Sequence, residues 1–198
     1  MENLNYPLNL QFKVAALAPQ IWVKDNNQNI IGYVKQKLFK LKEDVSVFED
    51  EAQTRLAYTI KADRWLDWSA AYSFQDKSGN KLGKVGRKGA KSLFKAHYEL
   101  YDENDKQDLI IREDSFMIRV LDALFSEIPI LGMFTGYVFN PKYNITRPDG
   151  TLVAQIVKAP SLVGRRFQLN KLTEYEQGEE LRIVLGMIMM VLLERRRG

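Results

Sequence analysis

The chain alternates between apolar and polar positions for most of its length. In Leu8-Asn-Leu-Gln-Phe-Lys-Val14 every second residue is apolar, as in a strand with one dry face. From residue 21 onward a longer unit repeats: a short alternating run, a turn, and a second run. Ile21–Asp25 returns as Ile30–Lys35, and Val45–Asp50 returns as Leu56–Ile60. Tyr72–Asp76 returns as Leu82–Val85, Tyr98–Asp102 as Leu109–Arg112, and Tyr143–Arg147 as Leu152–Val157. The intervening residues are rich in Asp, Asn and Gly. These accept left-handed or side-chain-bonded backbone conformations, so each unit predicts a β-hairpin. Adding Leu8–Val14, Phe134–Phe139 and Arg165–Leu169 gives about twelve or thirteen strands.

Three segments break the alternation. Asp63–Trp68 reads as a turn or short helical link. Ser115–Glu127 has helical spacing, with Ile118, Leu121, Leu124 and Phe125 on one face and Pro129 as its stop. The third is the C-terminus. Ile183–Leu193 is eleven residues without a polar side chain, led by Glu179 and Glu180 and followed by Arg195, Arg196 and Arg197. Acids at the start and bases at the end suit a helix dipole, and Gly178 is an acceptable N-cap. A helix that is apolar on every side must be surrounded by protein or by lipid. Spanning a bilayer takes roughly 20 apolar residues, so a buried helix is the preferred reading and a short membrane anchor the alternative.

These elements fit together in one way. A sheet of many strands removes its reactive edges by closing, and a barrel of about twelve strands is too wide for its own side chains to fill. The predicted fold is therefore mainly β: a closed barrel of about 12 antiparallel strands around a buried, apolar C-terminal α-helix. One domain is expected over 1–198, with 1–18 as an N-terminal strand or extension, 115–127 as a mid-chain helix and 179–195 as the central helix.

Composition narrows the chemistry. Cysteine is absent, which excludes disulfides, thiolate catalysis and zinc–thiolate sites. The first residues carry neither a basic nor an apolar leader, so the expected location is the cytoplasm, with the inner membrane face as the place of peripheral attachment. The one histidine, His97, has no nucleophile motif to serve. Asp102, Asn104, Asp105 and Asp108 miss the spacing of a calcium loop because Lys106 interrupts them. The acids from Glu174 to Glu180 read as helix capping. Gly83-Lys-Val-Gly-Arg-Lys-Gly89 lies on a returning strand rather than between a strand and a helix, so it is no phosphate loop. No catalytic, metal or cofactor-binding residue is assigned and no cofactor is expected.

What remains is uneven charge. The net charge is +4, yet Lys35–Lys42 holds four basic residues and Lys81–Lys95 six, with no acid in either. Lys35 and Lys37 share a strand face. Lys40 extends that stretch. Lys84, Lys88 and Lys91 form the second, with Arg87 on the other side of its strand. Point charges of this kind suit phosphate groups, and Trp65, Trp68 and Phe94 lie near enough in sequence to sit at an interface.

The hairpins, of the form aromatic-x-apolar-x-Asp, turn, Leu-x-x-Val-x-Lys, and the single apolar C-terminal helix resemble the LURP-one-related proteins. Those share the tubby C-terminal-like fold with tubby proteins and phospholipid scramblases. The likeness is carried by Tyr33–Asp50, with its Gln36-Lys-Leu-Phe39, by Phe74–Leu82 and by Leu181–Leu193, and it covers roughly residues 20 to 195. It implies a closed barrel with the helix threaded through it and no established catalytic set. Tubby proteins bind phosphoinositides through basic residues on the barrel exterior. For scramblases the C-terminal helix has been argued to be a membrane span, whereas fold modelling places it inside the barrel.

The expectation is a non-enzymatic cytoplasmic protein that docks on anionic phospholipid headgroups through Lys35, Lys37, Lys40, Lys84, Arg87, Lys88 and Lys91. A structural or protein-interaction domain with a protein partner and no lipid role is one alternative, and scramblase-like membrane association is another. Nucleic acid is not expected, since no binding motif is present and +4 over 198 residues is weak. Ligand identity and oligomeric state are left open by the sequence.

Overall fold

A computed structural model describes residues 4–37, 44–63, 71–87, 96–114, 142–159 and 165–195. Twelve strands run in chain order: β1 (Leu8–Phe12), β2 (Gln20–Lys24), β3 (Ile30–Gln36), β4 (Asp44–Phe48), β5 (Leu56–Ala62), β6 (Ala71–Asp76), β7 (Lys81–Arg87), β8 (His97–Tyr101), β9 (Gln107–Glu113), β10 (Lys142–Thr146), β11 (Leu152–Ala159) and β12 (Arg166–Lys171). One helix, α1 (Glu179–Arg195), follows. The predicted helix over 115–127, the predicted strand over 134–139, and residues 64–68 of the predicted link lie outside the described residues.

Every described strand pairs antiparallel with its neighbours in sequence, and β1 pairs with β12 to close the barrel. The closing seam sets Leu8 opposite Leu169 and Leu10 opposite Phe167. The alternation read from the sequence becomes register here. Phe12 faces Ile21, Ile21 faces Val34, and Val34 faces Val47, so buried apolar residues line up across four strands. The expected first strand shortens at its C-terminal end. β1 stops at Phe12, and Val14 is 64% exposed.

The hairpin turns explain why Asp recurs at the strand ends. Asp25 accepts from the Asn29 N–H at 2.8 Å and from Asn29 Nδ2 at 3.1 Å. Asp76 does the same for Ser78 and Asn80, and Asp102 for Asn104 and Lys106. Each carboxylate folds the chain back by satisfying turn N–H groups. The left-handed turn position is Gly79 in one hairpin and Gly150 in another, while Gln28 and Asp105 hold it elsewhere.

Ile183 to Leu193 of α1 are all buried, Leu193 the most open at 9%. They share one apolar cluster with the inward residues of the strands, Leu10, Ile60, Leu100 and Ile156 among them. Burying each such side chain contributes roughly 1.5–3 kcal/mol. Gly186 marks the tightest approach: a Cβ there would stand 2.5 Å from Leu100 Cδ2. Among the described residues no helix is long and apolar enough to cross a membrane.

Candidate functional site

Antiparallel order gives the barrel two unlike ends. Four hairpin turns (25–29, 77–80, 102–106 and 147–151) lie at one end, together with the segment that leads into α1, while the fifth (49–55) reaches back along the barrel wall, where Gln53 meets Lys35 and Glu51 meets Lys13. The strand ends joined by the other connections lie at the opposite end, where α1 finishes.

At the turn end a cleft of about 570 Å³ opens beside the start of α1. Arg147, just after β10, grips Glu179 with two bonds, Nε to Oε1 and Nη2 to Oε2, both 2.8 Å. Glu179 also accepts from the Glu176 N–H at 2.8 Å. Burial pushes the Glu179 carboxyl up, but the Arg147 fork, the Glu176 N–H and the charges of Arg147 and Arg182 outweigh it and hold it below its usual range. Arg182, one turn into α1, donates to Asp108 at 2.6 Å. Burial raises the Asp108 carboxyl by more than Arg182 lowers it. Gly178 is the N-cap: its carbonyl accepts from the Arg182 N–H at 3.2 Å. Its φ of +76° favours glycine, and an added Cβ would stand 2.5 Å from Arg182 Nη1.

The cleft is rich in charge, but its charges answer one another. The acids considered for calcium are also engaged. Asp102 holds its turn, Asp105 pairs with Lys81 at 2.6 Å and Lys84 at 2.8 Å, and Asp108 pairs with Arg182. Among the described residues no group of His, Asp and Glu is arranged to hold a metal ion. His97 lies 3.5 Å from Glu99 Oε1. The cleft therefore reads as a polar collar that fixes where α1 begins.

The predicted basic residues divide. Lys35 bonds Gln53 at 3.0 Å, because the β4–β5 turn reaches back across β3. Lys37 pairs with Asp44 at 3.0 Å. Lys84 pairs with Asp105, and its ammonium also sits 5.0 Å from the centre of the Tyr101 ring. Arg87 takes the opposite face of β7, as its odd spacing from Lys84 predicts, and its charge works against the burial-driven rise in the Tyr72 and Tyr98 phenols. Lys40, Lys88, Lys91, Trp65, Trp68 and Phe94 lie outside the described residues. β3 and β7 are separated by three strands, so Lys35 and Lys84 do not form one surface.

The family model for LURP-one-related proteins matches residues 30–188. The chain belongs to the LURP-one-related family. No curated protein matches it. In this LURP-one-related barrel the matched region starts at β3, so β1 and β2 lie before it although both are needed for closure.

Sequence reading missed the cations placed at the end where α1 finishes. Lys158 on β11, Arg165 and Arg166 at the start of β12, and Arg195 in the last turn of α1 are far apart in the chain. Strand register brings Lys158 opposite Phe167 and Arg166 between Ala159 and Gln11. The Arg165-Arg166 pair was the one linear signal.

Proposed function

We propose that this LURP-one-related protein is a non-enzymatic binding module that docks on anionic phospholipid headgroups, built as a barrel and axial helix of the tubby C-terminal-like kind. One observation carries the reading. The five hairpin turns and residues 172–180 hold twelve acidic and four basic residues. Of the chain's 29 basic and 25 acidic residues, twenty-five basic and thirteen acidic are left for the rest. The modest net charge thus conceals a strongly cationic remainder, and such a field draws a protein to an anionic surface. Family membership and a closed barrel fit this reading. Attachment is peripheral, from the cytoplasmic side.

Co-sedimentation with phosphatidylcholine vesicles, with and without phosphatidylserine, over a salt series tests it. Binding should require phosphatidylserine and weaken as salt screens the charges. No binding at low salt overturns the proposal, as does equal binding to vesicles without phosphatidylserine. Capture of a protein partner in the absence of vesicle binding would replace it with the protein-interaction reading.

A further inference from the structure

The cationic remainder is itself concentrated. β1, β11 and β12 are adjacent strands at the closing seam, and none of the three contains Asp or Glu. At the end where α1 finishes they carry Lys158, Arg165 and Arg166. Arg195 joins them from the helix. Its guanidinium lies 5.0 Å from the centre of the Phe12 ring, and the Phe12 N–H donates to the Arg165 carbonyl at 3.1 Å. Lys158 faces Phe167, the inward neighbour of Arg165 on β12.

These four cations form no ion pair with another described residue. Arg166 and Arg195 are exposed, and Lys158 and Arg165 are half-buried. Acids toward this end have other partners. Glu194 accepts from Tyr98 on β8 at 2.7 Å, and Glu51 pairs with Lys13, just after β1, at 3.3 Å. Lys35, Lys37 and Lys84 contrast with this group, since each already has a polar or acidic partner.

We infer that the seam end of the barrel, through Lys158, Arg165, Arg166 and Arg195, is the surface that meets the anionic bilayer, and that the acidic residues around the start of α1 at the other end hold the protein in one orientation. This rests on the proposed lipid docking and adds the site and the polarity. Turns 25–29, 77–80, 102–106 and 147–151 with residues 172–180 hold nine acidic and three basic residues, whereas the described residues at the seam end include these four cations, so a negative surface repels the first group and attracts the second. An exposed cation without a protein partner gives up no ion pair when it meets a phosphate, whereas Lys84 must first leave Asp105. Guanidinium groups add paired donors for phosphate oxygens.

The test is vesicle co-sedimentation of three proteins whose folding is checked by circular dichroism and thermal melting. They are the natural chain, Lys158→Gln/Arg165→Gln/Arg166→Gln, and Lys35→Gln/Lys37→Gln/Lys84→Gln. The seam variant spares Arg195, which packs on Phe12, so the fold is not put at risk. Each cation near a phosphatidylserine surface is worth about fivefold in partitioning, so the seam variant should bind about a hundredfold more weakly. The strand-face variant should lose much less. Loss in the strand-face variant with normal binding by the seam variant overturns this inference and leaves lipid docking standing. Failure of the natural chain to bind any vesicle overturns both. Duplex DNA bound through the same three residues, without vesicle binding, would assign the surface to nucleic acid and overturn the bilayer.

Discussion

The Tyr98 hydroxyl donates to Glu194 Oε1 at 2.7 Å, joining β8 to the last turn of α1 across 96 residues of sequence. Burial, followed by the charge of and the hydrogen bond to Glu194, pushes the Tyr98 phenol far above its ordinary pKa, so it remains a donor at every physiological pH. Together with the Arg147–Glu179 and Arg182–Asp108 pairs at the other end, it fixes α1 at both termini.

Tyr98→Phe should therefore loosen one end of the helix and leave the other in place. A hydrogen bond to a charged group is worth about 1.5–3 kcal/mol, and a loss near the lower figure is expected in urea melts. Amide exchange should quicken at residues 191–195 and stay slow at 183–187. Uniform quickening along α1 would contradict the anchoring role.

Glu179→Gln tests the collar. The folded carboxyl titrates below its unfolded value, so its contribution is complete above the ordinary Glu range and is lost as pH falls through the lowered folded value. The variant should lose about 2 kcal/mol at neutral pH. Its stability should then fall less steeply on acidification. Some slope remains because Asp105, drawn down to about 2 by hydrogen bonds from Lys81 and Lys84, still protonates. An unchanged acid limb in stability-versus-pH curves would contradict this account.

Gly186→Ala pits helix propensity against packing. Alanine gains about 1 kcal/mol in a helix interior. Its methyl would meet Leu100 Cδ2 at 2.5 Å, with Cδ1 and Cγ at 3.3 and 3.4 Å, on a residue with no exposed surface. Overpacking costs about 1–3 kcal/mol, so a net loss is expected. Leu100→Ala alone should cost about 2–5 kcal/mol. The double variant should be more stable than the sum of the single losses predicts. Strict additivity in thermal melts would mean that the two residues do not touch.

Leu185→Asp or Ile188→Asp should leave no soluble folded protein. Each residue is fully buried, and an unpaired buried charge costs several kcal/mol against a typical stability of about 5–15. The check is soluble yield with far-ultraviolet circular dichroism. A folded, more soluble variant would refute the burial of α1.

The hairpins and α1 were legible because their signals are local. Alternation marks strands, Asp at a strand end marks its turn, and Ile183–Leu193 admits no wet face. The bounds of α1 matched those read from sequence, and strand ends moved by only a few residues. The fate of the lysines was not legible. Lys35 and Lys37 look alike in sequence, yet one meets Gln53 from a turn that reaches back and the other meets Asp44 across its connection. The seam cations were hidden for a related reason. Their proximity depends on β1 pairing with β12, a relation between the two ends of the chain that no short window contains.

The same seam sets the order in which the protein can be made. Each hairpin can form as it leaves the ribosome, since its partner strand follows within a few residues. β1 must wait for β12, and the interior must wait for α1, which emerges after all twelve described strands. Until then the inward faces of eleven strands have nothing to cover them, and open strand edges with bare apolar faces are what aggregates during synthesis. Nascent chains stalled before residue 166 should accordingly be held by chaperones, and release should coincide with delivery of β12 and α1.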